Sequence, residues 1–170
     1  MKIFIAGFGN VLREDDGFGV FLSQRLQKRD DLPEEVTVLE VGIGGISMVQ
    51  DLMDGYDALI VLDALEGDTP GQVKTLVAEV PDAENVPKDY LADVHYAEPG
   101  RAMVLAKAVG VLPETVYIVG AVVQRAELGE GLTPAVEKSL ETAETIVFNL
   151  IRDLLKPKET TPNQLSEAVT

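Results

Sequence analysis

Two hydrophobic periods alternate along this chain. Residues 3–6, 36–40, 58–62, 73–77 and 116–119 are short runs rich in Ile, Val, Leu and Phe, the pattern of strands, and the unbroken runs 3–6 and 58–62 suit strands buried on both faces. Between them, apolar residues recur every three or four positions. Phe18, Phe21, Leu22 and Leu26 predict a helix over about 15–29, and Ile46, Val49 and Met53 a short one that Gly55 closes. Ala102, Leu105, Ala106 and Val109 predict a third, opening at Pro99. Val136, Leu140, Ala143, Val147, Leu150 and Leu154 form the stripe of a long final helix, with Thr133 as its N-cap and Pro134 in its first position.

Strand and helix alternate from one end to the other, which predicts an α/β fold: three layers, α/β/α, around a largely parallel twisted sheet of about five strands. Residues 79–97 have no clear period, carry Pro81 and Pro87, and end near His95; they read as a long loop, and loops of that length are usually functional or mobile. From about Lys156 the composition turns polar and aperiodic. The expectation is one domain over 1–155 and a disordered tail over 156–170.

Charge narrows the partners. Against 14 basic residues stand 29 acids, a net charge of -15, which repels a phosphate backbone and favours a cation or a basic protein. Nucleic acid is not an expected partner. The chain has no cysteine, which excludes disulfides, thiolate metal sites and a cysteine nucleophile. Apolar runs fall far short of the ~20 residues of a membrane span, and no signal-peptide pattern opens the chain. The expected location is the cytoplasm.

In parallel sheets, ligands bind outside the carboxyl ends of the strands. After the first strand come Gly7 and Gly9, suited to a sharp turn, and then Glu14, Asp15 and Asp16 ahead of the first helix. A dinucleotide fingerprint fails here, because Leu12 occupies the third glycine position and acids stand where pyrophosphate would lie. A helix N-terminus accounts for two of the three acids; a third is aimed elsewhere. Asp63 ends the strand 58–62. Asp16, Asp63 and His95 together would suit a divalent transition metal with coordination positions left open. Singly, each has a plainer reading: a helix-end charge, a turn residue, a surface histidine. Spacing alone does not bring them together. One histidine excludes two-histidine sites, and the lack of a Gly-x-Ser-x-Gly elbow disfavours a serine nucleophile. Ser23, Ser47 and Ser139 sit in helical contexts and Ser166 in the tail.

The segment from Gly7 to Gly19, including Gly9, Asn10, Leu12, Asp15, Asp16 and Gly17, resembles the signature of the hydrogenase maturation proteases. The likeness continues through Gly42–Gly45, Asp63-Ala64 and His95, and ends in the run from Glu127 to Val136, covering roughly 2–155. The resemblance implies a five-stranded sheet between helices. It implies an endopeptidase that removes a C-terminal extension from the nickel-loaded precursor of a [NiFe]-hydrogenase large subunit. Asp16, Asp63 and His95 would then grip nickel supplied by the substrate, with no organic cofactor. Glu40, Gly42, Gly44 and Gly45 would contact substrate, although many relatives carry aspartate where Glu40 stands. The group that attacks the peptide bond is left open. The alternatives are a non-catalytic metal-binding assembly factor of the same fold and a peptidase acting on another substrate.

Overall fold

The structure, a computed structural model of the chain, describes residues 1–90 and 98–157. His95 therefore lies outside the described residues, as does nearly all of the expected tail. Strand β1 (Ile3–Phe8) leads through a 3₁₀ turn (Glu14–Gly17) into helix α1 (Phe18–Gln27). Then follow β2 (Val36–Gly42), α2 (Gly45–Leu52), β3 (Ala58–Leu65), β4 (Val73–Val77), α3 (Pro99–Ala108), β5 (Thr115–Val122) and α4 (Pro134–Leu155).

Among the described residues the sheet has five strands in the order β2-β1-β3-β5-β4. The first four in that order run parallel, and β4 pairs antiparallel with β5. The expected α/β sandwich is present, with an antiparallel edge added. Every residue of β1 is buried, as a central strand with both faces covered requires. Its side chains alternate between two cores. Ile3 and Ile5 meet Phe18, Leu22 and Leu26 of α1 and Val136, Ala143 and Val147 of α4. Phe4, Ala6 and Phe8 meet Met48, Val49 and Leu52 of α2 and Ala102, Met103 and Ala106 of α3.

Several helix details differ from the periodicity. Helix α1 starts at Phe18, because Glu14, Asp15 and Asp16 are taken up by the 3₁₀ turn. The buried face of α2 is Met48, Val49 and Leu52; Met53, expected inside, is 62% exposed just beyond the helix end. In α3, Val109 is likewise exposed after the last turn, and Met103 and Val104 fill the buried face with Ala102 and Ala106. Each miss is a terminal residue, where the backbone has left the helix and the side chain with it. Strand β5 runs on to Val122, so Gly120 lies in the sheet opposite Asp63, not in a loop. The expected loop 79–97 carries a short 3₁₀ turn at Ala83–Asn85. Among the described residues, no helix is long and apolar enough to cross a membrane.

The order β2-β1-β3 creates the feature that matters for function. From β1 the chain crosses to one side to form β2 and later to the other to form β3, with α1 and α2 packed on opposite faces. The carboxyl ends of β1 and β3 thus flank a topological switch point, where open α/β sheets bind ligands.

A carboxylate-lined cleft at the switch point

Two glycines shape the approach to this point. Gly9 has φ of 132°, and a Cβ there would lie 1.9 Å from the Asp16 carbonyl oxygen, so the 3₁₀ turn can fold back over the end of β1. Gly19 packs so closely on the strand ends that a Cβ would lie 2.1 Å from the Leu62 carbonyl oxygen and 2.4 Å from that of Phe8. The chain between the two turns at Asn10. Its side-chain oxygen accepts from the Leu12 amide at 3.0 Å and its carbonyl from the Arg13 amide at 3.0 Å.

These turns bring Asp16 from the β1 side and Asp63 from β3 into one open cleft of about 410 Å³. Glu66 and Glu98 add two further carboxylates to its lining, and Arg13, Val123 and Ala126 complete much of the wall. The Arg13 guanidinium donates to the Ala126 carbonyl oxygen through Nε at 3.2 Å and through an Nη at 2.9 Å. Asp16 is half-buried, and its Oδ2 accepts from the Asn10 amide at 3.2 Å. Burial is the main cause that pushes the Asp63 carboxyl up to about 7; the charges of Asp16 and Glu98 add to it, against a lowering hydrogen bond from the Ala64 amide.

The remaining predicted residues fall elsewhere. Glu40 is exposed on β2 and accepts from Gln24 Nε2 at 2.9 Å, away from the cleft lining. Gly42, with φ of 62°, accepts the Gly9 amide on its carbonyl at 3.0 Å. Gly44 and Gly45 lead into α2, so this turn lies at the carboxyl end of the sheet beside the loop after β1. Among the described residues, no three histidine, aspartate or glutamate side chains converge as a metal-holding group. Asp16 and Asp63 supply two oxygen donors to one cleft, which suits a cation that brings its own further ligands.

The three acids of the opening motif divide differently from the helix-charge expectation. Glu14 pairs with Arg125 at 2.6 Å, Asp15 is fully buried against the segment 124–133, and Asp16 faces the cleft. Thr133 does stand at the N-cap of α4 with extended backbone, but its hydroxyl makes no cap bond and donates instead to Asp15 Oδ2 at 2.8 Å. Sequence reasoning missed Glu66, Glu98 and Arg13 as cleft residues. Arg13 lies within the opening motif Gly7–Gly19, which was its one local signal; Glu66 and Glu98 had none.

Fold and cleft define the class: a three-layer α/β protein with a ligand cleft of carboxylates at the carboxyl ends of a 2-1-3 sheet. Comparison with known proteins makes the class specific. The sequence pattern of the family described as hydrogenase maturation protease matches residues 20–150. The hydrogenase 2 maturation protease of Escherichia coli K12 is 31% identical, over 90% of this chain and 92% of that protein. The hydrogenase expression/formation protein HupM of Azotobacter chroococcum is 33% identical, over 98% of this chain and 81% of that protein. The solved structure of the hydrogenase maturating endopeptidase HybD from E. coli superposes with a TM-score of 0.73 at 30% identity, covering 91% of this chain and 94% of that one. The chain belongs to the hydrogenase maturation protease family, and it is an endopeptidase of that kind.

Proposed function

We propose that this endopeptidase removes a C-terminal extension from the nickel-loaded precursor of a [NiFe]-hydrogenase large subunit, in the cytoplasm, and that the substrate's nickel is what it recognises. The observation that carries the reading is the meeting of Asp16 and Asp63 in one cleft at the switch point. Asp63 holds a proton near neutrality because burial and the neighbouring charges of Asp16 and Glu98 disfavour its anion. A divalent cation relieves the same repulsion, so the pair is poised to exchange a proton for a metal. In this reading Asp16, Asp63 and His95 grip the nickel, and coordination left free stays with the precursor's own ligands. Bound nickel supplies a fixed positive charge beside the scissile region. The chain's carboxylates orient the precursor through that metal, and a carboxylate not engaged by it, for which the cleft lining offers Glu98 and Glu66, would accept a proton from attacking water. Glu40, Gly42, Gly44 and Gly45 form the neighbouring shoulder on which the precursor's polypeptide rests.

The test is mass spectrometry of a large-subunit precursor mixed with the purified protein, with and without nickel. Loss of a C-terminal peptide from the nickel-loaded form alone is the expected result. Binding without loss of mass would make the chain an assembly factor, and equal cutting of the nickel-free precursor would remove the metal from recognition.

A further inference from the structure

We propose that Asp15 is a positioning residue: its buried carboxylate locks the segment 124–133 onto the Glu14–Gly17 turn and thereby fixes Asp16 at the cleft. The inference rests on the reading of Asp16 as a working group of the site.

Asp15 has no exposed surface in a chain of net charge -15. A buried carboxylate must be met by donors, and these all come from one distant segment. Oδ2 accepts from the amides of Gln124 at 2.9 Å and Arg125 at 3.0 Å and from the Thr133 hydroxyl at 2.8 Å; Oδ1 accepts from the Thr133 amide at 2.7 Å. The Asp15 amide returns a bond to the Arg125 carbonyl at 3.1 Å. An asparagine cannot replace this group, because it offers one acceptor oxygen and would point an NH₂ at donors.

The adjoining residues are tied to the same segment. Arg13 bridges Gly129, the Glu14 amide donates to the Gly129 carbonyl at 3.0 Å, and the Glu14 carboxylate holds the Arg125 guanidinium at 2.6 and 2.7 Å. Glu14 sits at φ of 47°, a left-handed conformation that persists only where its surroundings over-determine it. Asp16 is the next residue after this clamp. Of the cleft wall, Ala126 belongs to the segment Asp15 holds and Val123 directly precedes it. One carboxylate therefore ties the residue carrying Asp16 to the wall that faces it.

The Asn10 amide, which donates to Asp16 Oδ2 at 3.2 Å, reports whether that carboxylate is in place. In Asp15→Asn, hydrogen exchange at Asn10, Gln124, Arg125 and Thr133 is expected to accelerate by about tenfold or more, while Ile5 in β1 and Val147 in α4 keep their protection. The rate constant for cutting a nickel-loaded precursor falls by about tenfold or more with KM held within about twofold. Thr133→Ser keeps the hydroxyl and both properties. Thr133→Val, a milder loss, shows the same changes in smaller measure and serves if Asp15→Asn does not fold. Unchanged exchange at Asn10 in a folded variant overturns the proposal, as does acceleration spread evenly into β1 and α4, which marks Asp15 as support for the fold alone. A wild-type protein that cuts no precursor removes the functional reading, and exchange at Asn10 still decides the positioning claim.

Discussion

Asp63 shares its cleft with Asp16, and the charge on Asp16 raises the proton affinity of Asp63 beyond what burial alone does. The two carboxylates come from segments on either side of the switch point, so their coupling is a product of topology. Asp16→Asn removes one of the like charges. The Asp63 carboxyl should then titrate at lower pH than its value of about 7 while staying above an ordinary aspartate, since burial remains the larger cause. Carbon-13 NMR of the aspartate carboxyls measures this. An Asp63 titration that does not move in Asp16→Asn would show that the two groups do not sense each other.

The same group sets a stability trend. An acid with a higher proton affinity in the folded state than in the unfolded chain stabilises the fold when protonated. For Asp63 that contribution is complete below 3.8, declines as pH rises, and is lost above about 7. At about 1.4 kcal/mol per pH unit across that window, the loss is at most on the order of 4 kcal/mol. Asp63→Asn should therefore flatten the dependence of Tm on pH across this range and be more stable than wild type on its alkaline side. Parallel Tm profiles for the two proteins would contradict it.

Asp15 has the opposite sign. Burial pushes its carboxyl up, but hydrogen bonds from Thr133, Arg125 and Gln124 outweigh that and hold it below the usual aspartate range. Its contribution is present above 3.8 and lost as pH falls through the lowered value. Acid should open the segment 123–133 before it unfolds β1 and α4. Limited proteolysis with an acid-active protease tests this, with early cuts expected around Arg125 to Gly131.

The sheet could be read from the chain because its signals are local. The run Ile3–Phe8 is apolar at every position that must face one core or the other, and residues 58–62 repeat the pattern. Thr133-Pro134 marks the start of α4 within one turn of the chain. The site was half legible. Asp63 closes the apolar run 58–62 and lies inside β3, which runs on to Leu65, but that Asp16 would meet it depends on strand order, which no short window contains. The role of Asp15 was hidden for the same reason: its partners lie 109 to 118 residues away. The antiparallel direction of β4 was also invisible, because residues 73–77 carry the same composition in either orientation.

Helices α1 and α4 are joined by Glu144, which is 6% exposed and accepts from both Arg25 and Arg29. The arginines are partly in water, and Arg29 also pairs with Asp31 at 2.7 Å and covers the Phe148 ring at 4.4 Å. The two sides of the cluster should therefore respond unequally. Glu144→Ala frees guanidiniums that can turn to solvent and costs about 1–2 kcal/mol. Arg25→Ala with Arg29→Ala strands a nearly buried carboxylate and costs more than Glu144→Ala does. Urea unfolding of both variants measures the difference, and equal losses would mean that Glu144 reaches water when its partners are gone.

Helix α1 can approach the sheet only because residue 19 has no side chain. At Gly19 a Cβ would fall 2.1 Å from one strand carbonyl and 2.4 Å from another, on Leu62 and Phe8. Both belong to backbone, so no side chain can swing aside. Gly19→Ala would normally gain helix propensity, by roughly 1 kcal/mol in a helix interior. Here it must push the first turn of α1 off the ends of β1 and β3, parting Phe18 from its core, and the cost of such overpacking is about 1–3 kcal/mol or more. The displacement also moves the Glu14–Gly17 turn that leads into α1, so Asp16 leaves its place beside Asp63. The variant should lose thermal stability despite the better helix former, and should lose precursor cleavage at temperatures where it is still folded. A Gly19→Ala protein with a raised Tm and full activity would show that α1 has room to shift without disturbing the cleft.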